Sequence, residues 1–177
     1  LESPGMDDQK SRTFSYLVSA YHSSFLYNES KELALKAIHK VEKFNKDQPA
    51  LIMIYNNLAL TYGELFQVDS SLFYANKSEK LARKLGKKEF FWRPDYARYS
   101  AYESINKTDL SYVYLKKTYS HLKNGEDRMN RGFILFLLLK FSKIKKLDHE
   151  FDGYLKEYVQ FSKEGQKPMD VIHQNLF

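Results

Sequence analysis

Residues 51–85 read LIMIYNNLALTYGELFQVDSSLFYANKSEKLARKL. Apolar and small residues recur at helical spacing on both sides of Gln67-Val68-Asp69, which predicts two amphipathic helices folded back on each other. Asp69 is expected to cap the second helix. Gly86, following the basic pair Arg83 and Lys84, is expected to end it, because cations and then glycine suit a helix C-terminus.

The same pattern extends outward in weaker form. Before the stretch, Phe14, Leu17, Val18, Tyr21 and Phe25 predict a helix over about 7–28, with Asp7 and Asp8 at its positive end. Asn28-Glu29-Ser30 reads as a break and Ser30 as the N-cap of a second helix. That helix would face inward with Leu33, Ala34, Ala37, Ile38, Val41 and Phe44, and 45–49 would be a loop leading to Pro49 in a first turn. After the stretch, Phe90-Phe91-Trp92 is expected to plug the seam between two hairpins, the alternative being an exposed anchor for a partner. Further helices are predicted from Pro94 to about 105, to about 122, over about 126–146 and from Asp148 to about 164. The helix at 126–146 carries the apolar run 133–139 and is expected to be the most buried. Leu1-Glu2-Ser3-Pro4-Gly5 reads as a linker, and 169–177 as the start of a further helix after Pro168, as in part of a larger protein.

Composition narrows the chemistry. With 177 residues the chain can bury a real core, and only 7 Gly and 4 Pro favour long helices. The 14 Tyr and 13 Phe suit half-buried seams between helices. No cysteine is present, which excludes disulfides, thiolate zinc sites and a Cys nucleophile, and suits cytoplasm and periplasm alike. The net charge of +6 permits an acidic partner without demanding one. The apolar run 133–139 falls well short of the roughly 18–20 residues of a membrane span.

Equivalent positions can be aligned across the chain. Small residues early in each second helix are matched as Ala34, Ser71, Ser111 and then Phe151, followed by Ile38, Ala75, Leu115 and Leu155, and by Val41, Ser78, Thr118 and Tyr158. Phe25, Tyr62, Tyr102 and Phe141 are the matching aromatics of the first helices. The spacing of about 37 to 40 residues is that of stacked helical hairpins. Asn57-Leu58-Ala59-x-x-Tyr62, followed by Ser71, Ala75 and Ser78, resembles a tetratricopeptide repeat of the long-helix kind found in bacterial sensors and regulators. The resemblance implies an all-α chain: antiparallel hairpins at about 7–45, 49–86, 94–123 and 126–164, stacked into one right-handed α-solenoid domain. Arg98 and Tyr99 depart from the pattern, standing where Leu and a small residue are expected.

No constellation of catalytic residues emerges. His22, His39, His121, His149 and His173 are scattered, and Asp148, His149, Glu150 and Asp152 read as a charged helix start rather than a metal site. No phosphate loop or nucleophile elbow occurs. No enzyme, metal or cofactor is therefore expected. Lys84, Lys87 and Lys88, then Lys116 and Lys117, then Lys140, Lys143, Lys145 and Lys146 form basic clusters. They read as solvated helix ends; the alternative is a nucleic-acid-associated helical repeat.

The resemblance implies a different use: a scaffold whose first helices line a concave groove for a protein or peptide, with an output domain in the same parent chain. The groove residues it implies are Tyr16, Ser19, Ser23, Asn56, Leu60, Arg93, Tyr96, Ser100 and Lys140. Asn56 and Ser100 would supply hydrogen bonds, Tyr96 aromatic contact, and Arg93 and Lys140 charge. An alternative role for Asn56 or Asn57 is to bridge helices.

Overall fold

The computed structural model describes residues 4–44 and 48–163, with side chains from residue 9 onward except 43 and 44. The readings of 45–47, of the turn at 165–168 and of the helix beyond it, and the charges of Asp7 and Asp8, fall outside what is described. Among the described residues there are eight α-helices: α1 (Pro4–Ser23), α2 (Tyr27–Phe44), α3 (Gln48–Glu64), α4 (Val68–Lys84), α5 (Trp92–Ser104), α6 (Thr108–Leu122), α7 (Arg128–Ile144) and α8 (Asp148–Lys163). A 3₁₀ turn at Lys88–Phe90 precedes α5. Pro4 and Gly5, read as linker, already lie in α1.

The ends of α1, α3, α5 and α7 share one closure, which Gly86 and Lys87 also make at the end of α4. At the end of α3 the Phe66 N–H donates to the Gly63 carbonyl at 3.0 Å and the Gln67 N–H to the Tyr62 carbonyl at 2.9 Å. The equivalent bonds are made by Phe25 and Leu26, by Asn106 and Lys107, and by Lys146 and Leu147. In each case the first residue of the pair is left-handed, with φ of 61°, 59°, 57° and 56° at Phe25, Phe66, Asn106 and Lys146. This closure satisfies carbonyls that a helix end leaves open.

These turn residues stand 41, 40 and 40 positions apart, and they correct the repeat register of the first hairpin. Because α2 begins at Tyr27, its fourth residue is Ser30, the counterpart of Ser71 and Ser111, and Ala34 stands one turn further on. Ser30 is therefore no N-cap. It is fully buried inside α2, and its hydroxyl donates to the Val18 carbonyl at 3.0 Å. Ser71 makes the same bond to the Ala59 carbonyl at 2.7 Å. Phe25 likewise leaves the first-helix face for the turn, where it is 77% exposed, and Tyr21 is the counterpart of Tyr62.

The chain divides into two compact units, Leu1–Ser111 and Tyr112–Phe177. In the first unit α1, α3 and α5 pack side by side; α2 packs on α1 and α3, and α4 on α3 and α5. Surrounded by four helices, α3 buries eleven of its 17 residues, against seven of 17 in α7, so the most buried helix is α3 and not α7 with its apolar run. Its core, built on Val18, Ala34, Ala37, Ile54 and Leu58, is joined by a stack of Tyr62 on Tyr74, centroids 5.6 Å apart. Asp69 lies in the first turn of α4, whose N-cap, Gln67, makes no side-chain capping bond. Its charge complements the helix dipole there. Trp92 is buried at the start of α5, and Phe90 and Phe91 are half-buried.

In the second unit α7 packs on α8. Asp127 caps α7, accepting the Asn130 N–H at 3.2 Å. Tyr112 stacks on Phe141 at 4.9 Å, and the Tyr112 and Tyr119 hydroxyls hydrogen-bond Glu150 and Glu157. Glu150, part of the acidic helix start at 148–152, is thus occupied with tyrosine and, at 3.8 Å, with Lys116. Among the described residues no three His, Asp or Glu side chains are placed to hold a metal ion, and no helix is long and apolar enough to cross a membrane.

Candidate functional site

Helical spacing places Met53, Asn56, Leu60 and Glu64 on one stripe of α3. With the register corrected, Leu60 is equivalent to Ser19 on α1 and Ser100 on α5. All three are half-buried, so they form a row of mostly short side chains across three adjacent helices.

At the C-terminal end of this row, polar groups from four helices meet. The Ser100 hydroxyl of α5 lies 3.5 Å from Glu64 Oε1. Burial first, and the neighbouring Glu64 carboxylate second, raise the pKa of the Tyr27 phenol at the start of α2. His22 of α1 holds its Nδ1 3.1 Å from the Thr61 hydroxyl and its ring 5.4 Å from that of Tyr27. Thr61 in turn reaches the buried Ser30 hydroxyl at 3.1 Å and the Asn57 carbonyl at 2.9 Å. Tyr96, one turn before Ser100, lies against Trp92 and Tyr99. Glu64 is exposed and, among the described residues, has no ion-pair partner.

The electrostatics follow from burial and from that charge. Burial lowers the His22 pKa, and the nearby Glu64 carboxylate opposes the shift. Burial first and Glu64 second push the Tyr96 phenol up to about 12. The groups around Glu64 are thus hydroxyls and rings, and its carboxyl group is exposed.

The groove residues expected from sequence are distributed as follows. Ser19, Leu60, Tyr96 and Ser100 lie on the α1–α3–α5 layer, half-buried; Ser23 is exposed and Tyr16 is 65% exposed. Arg93, on the same layer, sets its guanidinium 4.7 Å over the Trp92 ring and 5.9 Å from that of Phe90. Asn56 requires a correction: it is 1% exposed, with its Oδ1 buried and lacking a hydrogen-bond partner, so it does not present an amide to solvent. Its neighbour Asn57 takes the bridging role, its Nδ2 3.4 Å from the Ser15 carbonyl. Lys140 lies in the second unit, exposed on α7. Sequence reasoning missed Glu64, His22 and Tyr27. The signal for Glu64 was present, since it continues the stripe of Asn56 and Leu60 by one turn.

Other features are less developed. A depression of about 450 Å³ has all its described lining on α1, including Phe14 and Leu17. In the basic clusters, Lys87 pairs with Glu89 at 3.7 Å and Lys117 lies 4.7 Å over Tyr114.

No protein-family model matches the chain, and no curated protein matches it by sequence. Solved structures do match. Aspartyl phosphate phosphatase F from Bacillus subtilis superimposes with a TM-score of 0.79 at 14% identity, over 96% of this chain and 43% of that one. BtubC (BKLC) from P. vanneervenii gives 0.73 at 11% identity, over 94% and 67%. A putative kinesin light chain from Podosopora anserina with nearly identical TPR-like repeats gives 0.68 at 14%, over 91% and 79%. The chain thus spans less than half the length of the phosphatase.

Proposed function

From a chain whose fold is the tetratricopeptide-type helical repeat, we propose a non-catalytic scaffold that binds a protein or peptide on the α1–α3–α5 layer of its first unit. The observation that carries this reading is the meeting of Tyr27, His22, Glu64 and Ser100, from four helices, beside the short row of Ser19, Leu60 and Ser100. The buried small residues of α4, by contrast, are occupied: Ser71 bonds the Ala59 carbonyl, and Ser78 bonds the Ile52 carbonyl at 3.1 Å. A layer of shallow relief with a charged end suits an extended segment whose side chains alternate between contact and solvent.

In the finer reading, the chain is the sensor or interaction region of a larger bacterial signalling or transcription-regulatory protein. The likeness to a phosphatase structure of more than twice its length supports that setting. Site-specific photo-crosslinking tests the surface. A photoreactive residue replacing Ser19 or Leu60 is expected to capture the partner, and one replacing Phe73, which is 54% exposed on α4, is not. Capture from Phe73 alone would reject the assignment.

A further inference from the structure

Within that binding reading, on which the inference rests, we propose that Glu64 is the recognition point for an arginine side chain of the partner segment. An ionised carboxylate offers about four acceptor directions. The Ser100 hydroxyl of α5, at 3.5 Å, occupies part of this capacity, and the Tyr27 phenol of α2 stands nearby. Glu64 is exposed, and among the described residues no cation pairs with it. A carboxylate with two hydroxyl neighbours is already oriented, so a guanidinium can dock on it with little further ordering.

The surroundings select arginine. Tyr27 supplies a ring near Glu64, and Tyr96 lies one turn from Ser100 on the same side of α5. A planar guanidinium can pair with the carboxylate and lie against aromatic faces, which a compact, strongly hydrated ammonium does less well. The chain itself carries a net charge of +6, so an exposed carboxylate without an ion-pair partner is a place where a cation is locally favoured on a basic protein. His22 does not compete for it: the imidazole is directed to Thr61, and burial disfavours its charged form.

The test is selection of a displayed library of random linear peptides against the full chain. Titrations of the selected sequences against the wild-type chain and Glu64→Gln would follow, with circular dichroism to confirm an unchanged fold. The expected result is enrichment of arginine at one position. Binding to Glu64→Gln should be about tenfold or more weaker, the scale of one charge-assisted contact. Replacing the enriched arginine by citrulline should cost the wild-type chain as much and Glu64→Gln little. Peptides that bind both chains equally, or that show no arginine preference, overturn this inference while leaving the scaffold reading standing. Failure to select any binder overturns both.

Discussion

The Arg98 guanidinium donates to Glu79 Oε2 at 2.6 Å, tying α5 to α4 at the position where the repeat pattern calls for leucine. It also reaches Asp95 Oδ1 at 2.7 Å and Asn76 Oδ1 at 2.6 Å, and Arg98 is 8% exposed. Removing the cation takes a charge partner from two partly buried carboxylates, Asp95 and Glu79, the second of which keeps Arg83 at 2.7 Å. Arg98→Leu is therefore expected to destabilise by about 3 kcal/mol, despite restoring the family residue. Arg98→Leu with Glu79→Met should recover part of that, because it removes one of the two carboxylates that lose the cation while Asp95 remains. Urea unfolding of the two variants measures both.

The same cluster sets an acid limit. Burial alone would raise the Glu79 carboxyl, but the bonds and charges of Arg98 and Arg83 outweigh it and hold the group below its ordinary value. A depressed carboxylate gives full stability above its unfolded pKa and loses it as pH falls through the folded one. The wild-type chain should therefore lose stability below about pH 4.5, and that loss should be shallower in Glu79→Gln. Denaturant midpoints measured across that range give the slope.

His22 adds a separate dependence nearer neutrality. Its folded pKa lies below 6.5, so the unfolded chain takes up the proton first, and stability should fall as pH drops from about 6.5 towards the folded value. Glu64 opposes the depression, so Glu64→Gln should lower the His22 midpoint further. Imidazole proton shifts in an NMR titration report that midpoint directly, and an unmoved value would remove Glu64 from its surroundings.

The part of the fold legible in the sequence was what periodicity and punctuation encode: helices, their order and their hairpin pairing. The register of the first repeat was not, because Phe25 and Phe66 occupy left-handed turn positions that composition gives no reason to assign to phenylalanine. Ser30 has two plausible uses in a sequence, a cap or a small residue at a close helix approach, and only the start of α2 at Tyr27 decides between them. At the candidate site, Ser19, Leu60 and Ser100 were among the residues that the family resemblance implied. Glu64 depends on which groups neighbouring helices bring to it. Asn56 fails for the same reason in reverse: its stripe is right, and packing around α3 closes over it.

Two backbone positions carry removable costs. Lys146 is exposed with φ of 56°, a conformation that disfavours a side chain bearing Cβ by about 1 kcal/mol or more. Lys146→Gly should stabilise by about 0.5 kcal/mol after the glycine's added unfolded-state entropy is subtracted. Gly153 is the converse case, inside α8 with open space where a Cβ would stand, so Gly153→Ala should stabilise by about 0.8 kcal/mol. Thermal melts of the single and double variants test both, with additivity expected because the two sites lie on different elements.

Ser71 separates polarity from volume at the contact between α3 and α4. It is fully buried, and its hydroxyl donates to the Ala59 carbonyl at 2.7 Å. Ser71→Ala removes one bond from an acceptor within a helix and keeps the close approach, so a cost of about 1 kcal/mol is expected. Ser71→Leu forces added volume between two helices and should cost about 3 kcal/mol. If space is the dominant requirement, Leu will cost well over twice as much as Ala by chemical denaturation. Equal losses would instead make the hydroxyl bond the reason for serine, and the same comparison at Ser30, bonded to the Val18 carbonyl in the preceding hairpin, should repeat whichever result Ser71 gives.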